Sequence, residues 1–349
     1  VVDSVHSTSG ILNPEDTPDA GVTWHYGDPF AEQRAAERGA AVVDRSNRRV
    51  ITLTGPERLS WLHSITSQHL THLADGASVQ NLNLDGSGRV LDHFWVTDVD
   101  GTTYLDTEPE TLAPKEAPLS PDLATYLQRM VFRSQVEVAA RPDLAVLTVI
   151  GPEADAVART VDAVRRPDPD GVTLIVPRDG LAEAFAALVA AGARPAGTWA
   201  YEARRAAAAH ARAGLDTDDR TIPHEVDWIG TAVHLDKGCY RGQETVARVH
   251  NIGRPPRRFV LLHLDGSAGE RPSTGDPVTL DGRTVGRVGT VVEHADYGPI
   301  ALALIKRNVP DDARLEAGGA AAAIDADVTP STDRGDQAGR AAVDRLRGR

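Results

Sequence analysis

The sequence predicts an α+β protein built from two related mixed domains and a small β-barrel. Three observations carry this prediction. Helical and strand patterns alternate from Pro29 to Ala213. A strand, a Gly-Pro-Glu turn and a helix occur twice, as VITLTGPERLSWL (50–62) and LTVIGPEADAVA (147–158), which marks a weak internal duplication. After Pro255-Pro256 the chain turns to short strands divided by Gly/Asp turns: 258–264, 277–280, 284–295 and 299–305. That spacing belongs to a small barrel or sandwich.

Each element has its own reason. Residues 1–22 are polar and rich in Pro, Gly and Asp, and read as a loose arm. Pro29 opens a short helix that Gly39 closes (29–40). A strand at 50–55 precedes a helix opened by Pro56, with Leu59, Leu62 and Ile65 on one apolar stripe. Strands at 78–84, 89–99 and 102–108 make a meander, and Asp100-Gly101 is the strongest hairpin signal in the chain. Residues 108–121 read as a loop and 122–132 as a helix. Strands follow at 136–140, 144–151 and 172–177, then helices at 181–192 and 199–213, and a loop at 214–236. The expected division is an arm (1–22), a first α+β domain (23–135), a second (136–254), a barrel (255–310) and a low-complexity tail (311–349). The tail has almost no large apolar residues, and it is expected to be mostly disordered.

Composition removes several function classes. The 349 residues carry 37 Lys+Arg and 50 Asp+Glu, a net charge of −13, which argues against general nucleic-acid binding. No run of about 18 apolar residues occurs, so no membrane span is expected. The opening residues have neither a basic nor an apolar signal region. Cys239 is the only cysteine, so this chain's thiolates alone build neither a disulfide framework nor a zinc or iron–sulfur site. A reducing cytoplasm is the expected compartment.

The chemistry concentrates in LDKGCYRGQETVARVHNIGRPPRR (235–258). Lys237 and Arg241 flank Cys239, and cations near a thiol favour its thiolate. Gly238 and Gly242 allow tight backbone around it. From 237 to 258 six basic residues face one acidic residue, Glu244, a positive island suited to an anionic ligand or acidic partner. The plain alternatives are a small buried hydrophobe for Cys239 and a solvated surface for the basic run. His69 and His72 have a spacing that could ligate metal, but no third ligand lies nearby in sequence. They read as helix-terminal residues, and no metal site is expected. The Gly-Pro-Glu turns lack the ending of a phosphate loop.

Lys237-Gly238-Cys239-Tyr240-Arg241-Gly242-Gln243-Glu244 resembles the K-G-C-Y-x-G-Q-E signature of the YgfZ family, relatives of the glycine-cleavage aminomethyltransferase GcvT. Residues 30–73 and 82–96 are similar to the same family, so the resemblance covers roughly 23–310. It implies a GcvT-like three-domain ring around a central hole that holds a reduced folate. It also implies a tetrahydrofolate-linked role in assembly or repair of iron–sulfur proteins, with Cys239 as the functional thiol. Two positions depart from the pattern. Asp92-His93 stands where aminomethyltransferases carry two adjacent aspartates. Ala203-Arg204-Arg205-Ala206-Ala207 lacks the Glu of L-R-x-E-A-G, although Glu202 lies one turn away.

Folate binding would need an aromatic wall, a carboxylate for the pterin edge and cations for the glutamate tail. The candidates are Trp95, Trp199, Tyr201 and Tyr240 for the wall, each with core packing as its plain alternative. Asp92 or Glu202 would meet the pterin, with Arg254, Arg257 and Arg258 for the tail and Gln243 beside them. Cys239, Lys237 and Asp92 are the candidate catalytic residues. The partners expected are iron–sulfur assembly or client proteins and a folate, with direct nucleic-acid binding not expected. Two other functions are kept open. One is a tetrahydrofolate-dependent aminomethyltransferase with Asp92 as key carboxylate. The other is a non-enzymatic scaffold that binds another planar heterocycle or a tRNA. A link to tRNA modification would then arise directly, or indirectly through an iron–sulfur tRNA-modifying enzyme.

Overall fold

The computed structural model describes residues 10–109, 112, 122–267, 269 and 271–328. The first nine residues of the expected arm, most of the expected 108–121 loop and residues 329–349 of the expected tail lie outside them. Strand β1 (Ile11–Leu12), in the expected arm, pairs with β2 (Thr23–His25), just beyond it. Helix α1 (Pro29–Arg38) then starts at Asp28, whose Oδ1 accepts the N–H groups of Phe30 and Ala31, and ends at Gly39. No helix among the described residues is long and apolar enough to cross a membrane.

Two five-stranded sheets follow. The first uses β4 (Arg49–Thr54), β5 (Ser78–Leu84), β6 (Val90–Val99), β7 (Thr102–Thr107) and β8 (Glu137–Ala140), in the order β5-β6-β7-β4-β8. Helices α2 (Arg58–Ile65) and α3 (Leu123–Arg129) cover one face, where Leu53, Leu62, Phe94, Leu105 and Leu127 are buried together. Both central residues of the Asp100-Gly101 turn have positive φ (48° and 77°), as a tight hairpin turn with right-handed twist demands.

The second sheet is ordered β10-β11-β9-β3-β12. Its strands are β3 (Ala41–Asp44), β9 (Leu144–Ile150), β10 (Val164–Asp168), β11 (Gly171–Pro177) and β12 (Arg194–Ala196). Helices α4 (Ala154–Ala158) and α5 (Leu181–Ala190) pack on it through Val157, Phe185 and Leu188. A division at 135/136 is therefore crossed in both directions: β3 belongs to the second sheet and β8 to the first. The two Gly-Pro-Glu turns share one geometry. Gly55 and Gly151 have φ of 107° and 108°. Glu57 and Glu153, the residues that cap α2 and α4, have φ/ψ of −96°/3° and −97°/5°.

Helix α6 (Thr198–Ala207) ends before the expected 213, because Ala209 takes a left-handed conformation (φ 51°) and the chain turns away. Helix α7 (Gln243–Asn251) lies in the signature segment. A closed barrel completes the molecule, in the order β13-β16-β15-β14-β17-β18. Its strands are β13 (Arg257–Leu264), β14 (Pro277–Leu280), β15 (Arg283–His294), β16 (Gly298–Lys306), β17 (Leu315–Ala317) and β18 (Ala320–Ile324). The last two correct the tail reading. Residues 315–324 close the barrel, with β18 alternating buried and exposed positions and pairing with β13. Alanine fills the interior of a narrow barrel without large side chains.

Candidate functional site

The signature loop presents Cys239 as an exposed free thiol. The loop is held from both sides. Lys237 is buried, and its Nζ donates to the carbonyls of His63 and Thr66 at the C-terminal end of α2. Those carbonyls carry the negative end of the helix dipole, so a cation suits them. The ammonium also lies 4.8 Å from the Tyr240 ring centre. Burial pushes Lys237 down to about 8 and Tyr240 up to about 12. After the thiol, Gln243 Oε1 accepts the Tyr240 N–H at 3.1 Å. Gly242, at φ 83°, lets the chain pass so close to the 85–88 turn that a Cβ would sit 2.6 Å from the Asp85 carbonyl. The sequence placed Lys237 beside the thiol as a counter-ion; the structure engages it with α2 instead.

The positive island is smaller than the sequence implied. Arg257 pairs with Asp218 and Glu225, and Arg258 with Asp311. Arg248 and Arg254 remain exposed.

Asp92 and His93 alternate across β6. Asp92 shares the face of Phe94, toward α3, and accepts a hydrogen bond from Asn83 at 2.9 Å. Burial raises its carboxyl to about 6, against the Asn83 bond and the charge of Arg49. His93 lies on the opposite face, stacked on Trp228 at 4.6 Å, and burial lowers it to about 4. The strand thus turns Asp92 away from Trp95, its neighbour on the other face.

Where the two sheets and the barrel meet, a buried ion network fills the interior. Arg48 and Arg166 both bind Asp106. Arg48 reaches Glu108, which also pairs with Arg212. Arg212 binds Asp19 and Glu202, and Arg205 joins Glu202 to Asp216. Asp216 in turn accepts the N–H and hydroxyl of Thr290 in the barrel. Burial opposes ionisation of Asp19, Asp106 and Glu108, yet the guanidinium groups around them hold all three below the usual carboxylate range. Two arginines cover expected aromatic walls: Arg166 of the network lies over Trp95 at 4.8 Å, and Arg45 over Tyr201 at 3.9 Å. Burial raises the Tyr201 hydroxyl to about 12.

A pocket of about 390 Å³ opens onto this network. Trp199 stacks on Trp24 at 4.9 Å and donates its indole N–H to the Glu293 carbonyl. Both rings line the pocket together with Asp19, Glu202 and Arg212. Of the expected ligand residues, the structure brings Trp199 and Glu202 into this pocket. Asp92, Trp95, Tyr201, Tyr240, Gln243, Arg254 and Arg258 do not line it. The sequence reading missed Trp24, Asp19 and Arg212. Their partners lie up to 193 residues away, as Arg212 and Asp19 do, so no local pattern marks them.

The fold also brings histidines together. His69 lies 4.8 Å from His63, 5.7 Å from His72 and 5.3 Å from His234, between ring centres. His234 is invisible from the His69/His72 spacing.

No family model matches the chain. The chain is 18% identical to the solved glycine cleavage system aminomethyltransferase T of Bartonella henselae, with a TM-score of 0.75 over 93% of this chain and 97% of that one. The fold is the aminomethyltransferase fold. In sequence, the chain is 28% identical to the aminomethyltransferase of a Nostoc species, covering 78% of this chain and 79% of that protein. It is 26% identical to the aminomethyltransferase of Methylococcus capsulatus, covering 69% and 71%. A chloroplastic protein of Arabidopsis thaliana named for a transferase activity is 23% identical over 73% of this chain, which spans only 62% of that protein's length.

Proposed function

We infer that this chain is a YgfZ-like folate-binding protein that supports assembly or repair of iron–sulfur enzymes in the cytoplasm, with Cys239 as its functional thiol. One observation carries the reading. An exposed cysteine sits on a loop whose two sides are fixed, by Lys237 on α2 and by Gly242 against the 85–88 turn. A buried structural cysteine needs no such presentation. With one thiolate, Cys239 would act as a shared ligand or as a nucleophile toward a partner's cluster, and would not hold a cluster alone.

The pocket fits a planar heterocycle with hydrogen-bonding edges. Trp199 and Trp24 give an aromatic wall, and the Asp19 and Glu202 carboxylates, held by Arg212, offer acceptor oxygens. A reduced folate held there would supply one-carbon carriage.

Two experiments test the reading. Calorimetric titration with tetrahydrofolate is expected to give saturable binding in the micromolar range, weakened roughly tenfold or more by Trp199→Leu through loss of the ring face. Binding unchanged by that variant would place the ligand elsewhere. In a strain lacking the protein, Cys239→Ala is expected to fold but not to restore iron–sulfur enzyme activity; full restoration would remove the thiol from the function.

The aminomethyltransferase reading is favoured by the names of the relatives and by the fold. The orientation of Asp92, toward α3 and away from the pocket, weighs against it. A glycine-cleavage assay with the partner proteins decides. Direct tRNA binding has little support in a chain of net charge −13, two of whose six island cations, Arg257 and Arg258, are already ion-paired.

A further inference from the structure

We propose that α7 and the Cys239 loop form a docking surface for an acidic segment of a partner protein. The inference rests on the reading of Cys239 as the functional thiol, and it names the kind of partner that reaches it.

Helix α7 is held to the molecule along one edge. Of its nine residues only Val246 is buried, in the cluster that also holds Leu84 and Phe259. At about 3.6 residues per turn, Glu244 and Arg248 fall on the opposite side of the helix from Val246. Both are exposed.

The fold gathers unpaired cations around this helix. Lys237 is engaged by the α2 carbonyls, and Arg257 and Arg258 by carboxylates. Arg241 precedes the helix, Arg248 lies within it and Arg254 follows it. The first sheet adds Arg89. A Cβ at Gly88 would lie 3.0 Å from the Thr245 side chain, so the 85–88 turn packs on the first turn of α7 and brings the exposed Arg89 beside it. Among the described residues none of these four side chains makes an ion pair or a hydrogen bond. In a chain of net charge −13, that is a local reversal of sign next to an exposed thiol. Guanidinium groups meet carboxylates with two parallel hydrogen bonds, which suits Asp and Glu side chains.

The pattern favours a protein over a nucleic acid. Exposed Asp236 and Glu244 interrupt the cations. They would repel a continuous run of phosphates, but they can pair with a scattered cation on a protein surface. Tyr240, next to the thiol in sequence, is half-buried with the Lys237 ammonium against its ring, so it offers no open face for a base to stack on. Ile252, 68% exposed at the C-terminal end of α7, offers an apolar contact instead. Exposed charges act mainly on the rate of encounter, so the signature of this surface is kinetic and sensitive to salt.

Cys239, the only thiol, reports the test. Three short peptides each carry a cysteine as the mixed disulfide with thionitrobenzoate, flanked by Glu and Leu, by Gln and Leu, or by Lys and Leu. Attack by the Cys239 thiolate joins the peptide to the protein and releases coloured thionitrobenzoate. At about 0.02 M NaCl the Glu peptide is expected to react roughly tenfold or more faster than the Lys peptide, with the Gln peptide between them. The gap should close at about 0.5 M NaCl. The double variant Arg89→Glu/Arg248→Glu should lose most of this preference. The charge-matched Arg159→Glu/Arg165→Glu, at exposed positions of the second sheet and its α4 end, should keep it. Uncharged iodoacetamide normalises each variant for thiol access and ionisation, and circular dichroism confirms the fold. Equal rates for the three peptides with a normal iodoacetamide rate overturn the docking surface and leave the thiol reading standing. A thiol that is slow with iodoacetamide overturns both. Micromolar binding of a labelled single-stranded RNA at about 0.15 M NaCl, lost in Arg89→Glu/Arg248→Glu, would assign the surface to nucleic acid. A peptide preference that fades as the protein is concentrated would assign it to a second copy of the chain. Either result overturns the proposal.

Discussion

Asp92 is a carboxylate in an environment that disfavours its charge. Burial raises it to about 6, with one neutral hydrogen bond from Asn83 to set against the loss of water. The sign follows from linkage. Below the ordinary carboxylate pKa the group is protonated in both states and costs nothing. As the pH rises from there through 6, the unfolded chain ionises first and stability falls. The rise from the ordinary carboxylate range to about 6 corresponds to an upper bound of about 3 kcal/mol above pH 6. Asp92→Asn removes that penalty. Its amide would also face Asn83 Oδ1, a buried oxygen with no hydrogen-bond partner. Urea unfolding is therefore expected to show the variant more stable than the parent at pH 7.5, with the difference shrinking toward pH 4. A less stable variant at pH 7.5 would mean that the carboxylate is needed as an ion. At this scale Cys239 and its loop were legible in the sequence, because the K-G-C-Y-x-G-Q-E run is contiguous. The orientation of Asp92 was not: one step along a strand reverses the face, and only the pairing of β5 with β6 fixes which face is which.

The duplicated turn is legible in sequence and physically demanding in structure. At Gly55 and Gly151 a Cβ would lie 2.3 Å and 2.1 Å from the carbonyls of Gln135 and Ala36. Both also have a φ that L side chains rarely adopt. Gly55→Ala and Gly151→Ala are each expected to cost more than about 2 kcal/mol, by comparable amounts, in chemical denaturation. A cost below about 1 kcal/mol at either would show that the turn relaxes and that the likeness is superficial. Phe132 is the converse case. It holds a left-handed conformation (φ 46°) after α3 while its ring is 83% exposed. Phe132→Asn should therefore raise stability by about 1 kcal/mol, since Asn tolerates that backbone and little burial is lost. The elements that the sequence hid share a cause. β3 is central in its sheet and buried on both faces, so AVVD has no alternation to read. β10 runs VRRPD, and its inward Arg166 and Asp168 face the ion network, not an apolar core. β18 is nearly all alanine, yet it closes the barrel.

The three parts of the molecule are joined by charge as well as by apolar contact. Arg212 links the arm through Asp19, the first sheet's end through Glu108 and α6 through Glu202, with its side chain only 2% exposed. Removing the cation leaves Asp19 without an ion pair and takes one cation each from Glu108 and Glu202, which keep Arg48 and Arg205. Arg212→Met is expected to destabilise by about 3–5 kcal/mol and to open the pocket beside Trp199. The pH dependence follows from the same charges. Asp19, Asp106 and Glu108 are held below their ordinary values, so they contribute stability above the unfolded carboxylate range and lose it as pH falls through their own lower values. Acid unfolding should begin near pH 4 and steepen below it. Because the pairs are buried, added salt should barely move the midpoint, in contrast to exposed pairs such as Arg159 with Asp155. Tryptophan fluorescence against pH at about 0.05 and 0.5 M NaCl checks this, with Trp95 and Trp199 reporting from the network and from the pocket. A midpoint that shifts strongly with salt would mean that water enters the junction. The three parts would then be held together chiefly by their apolar cores.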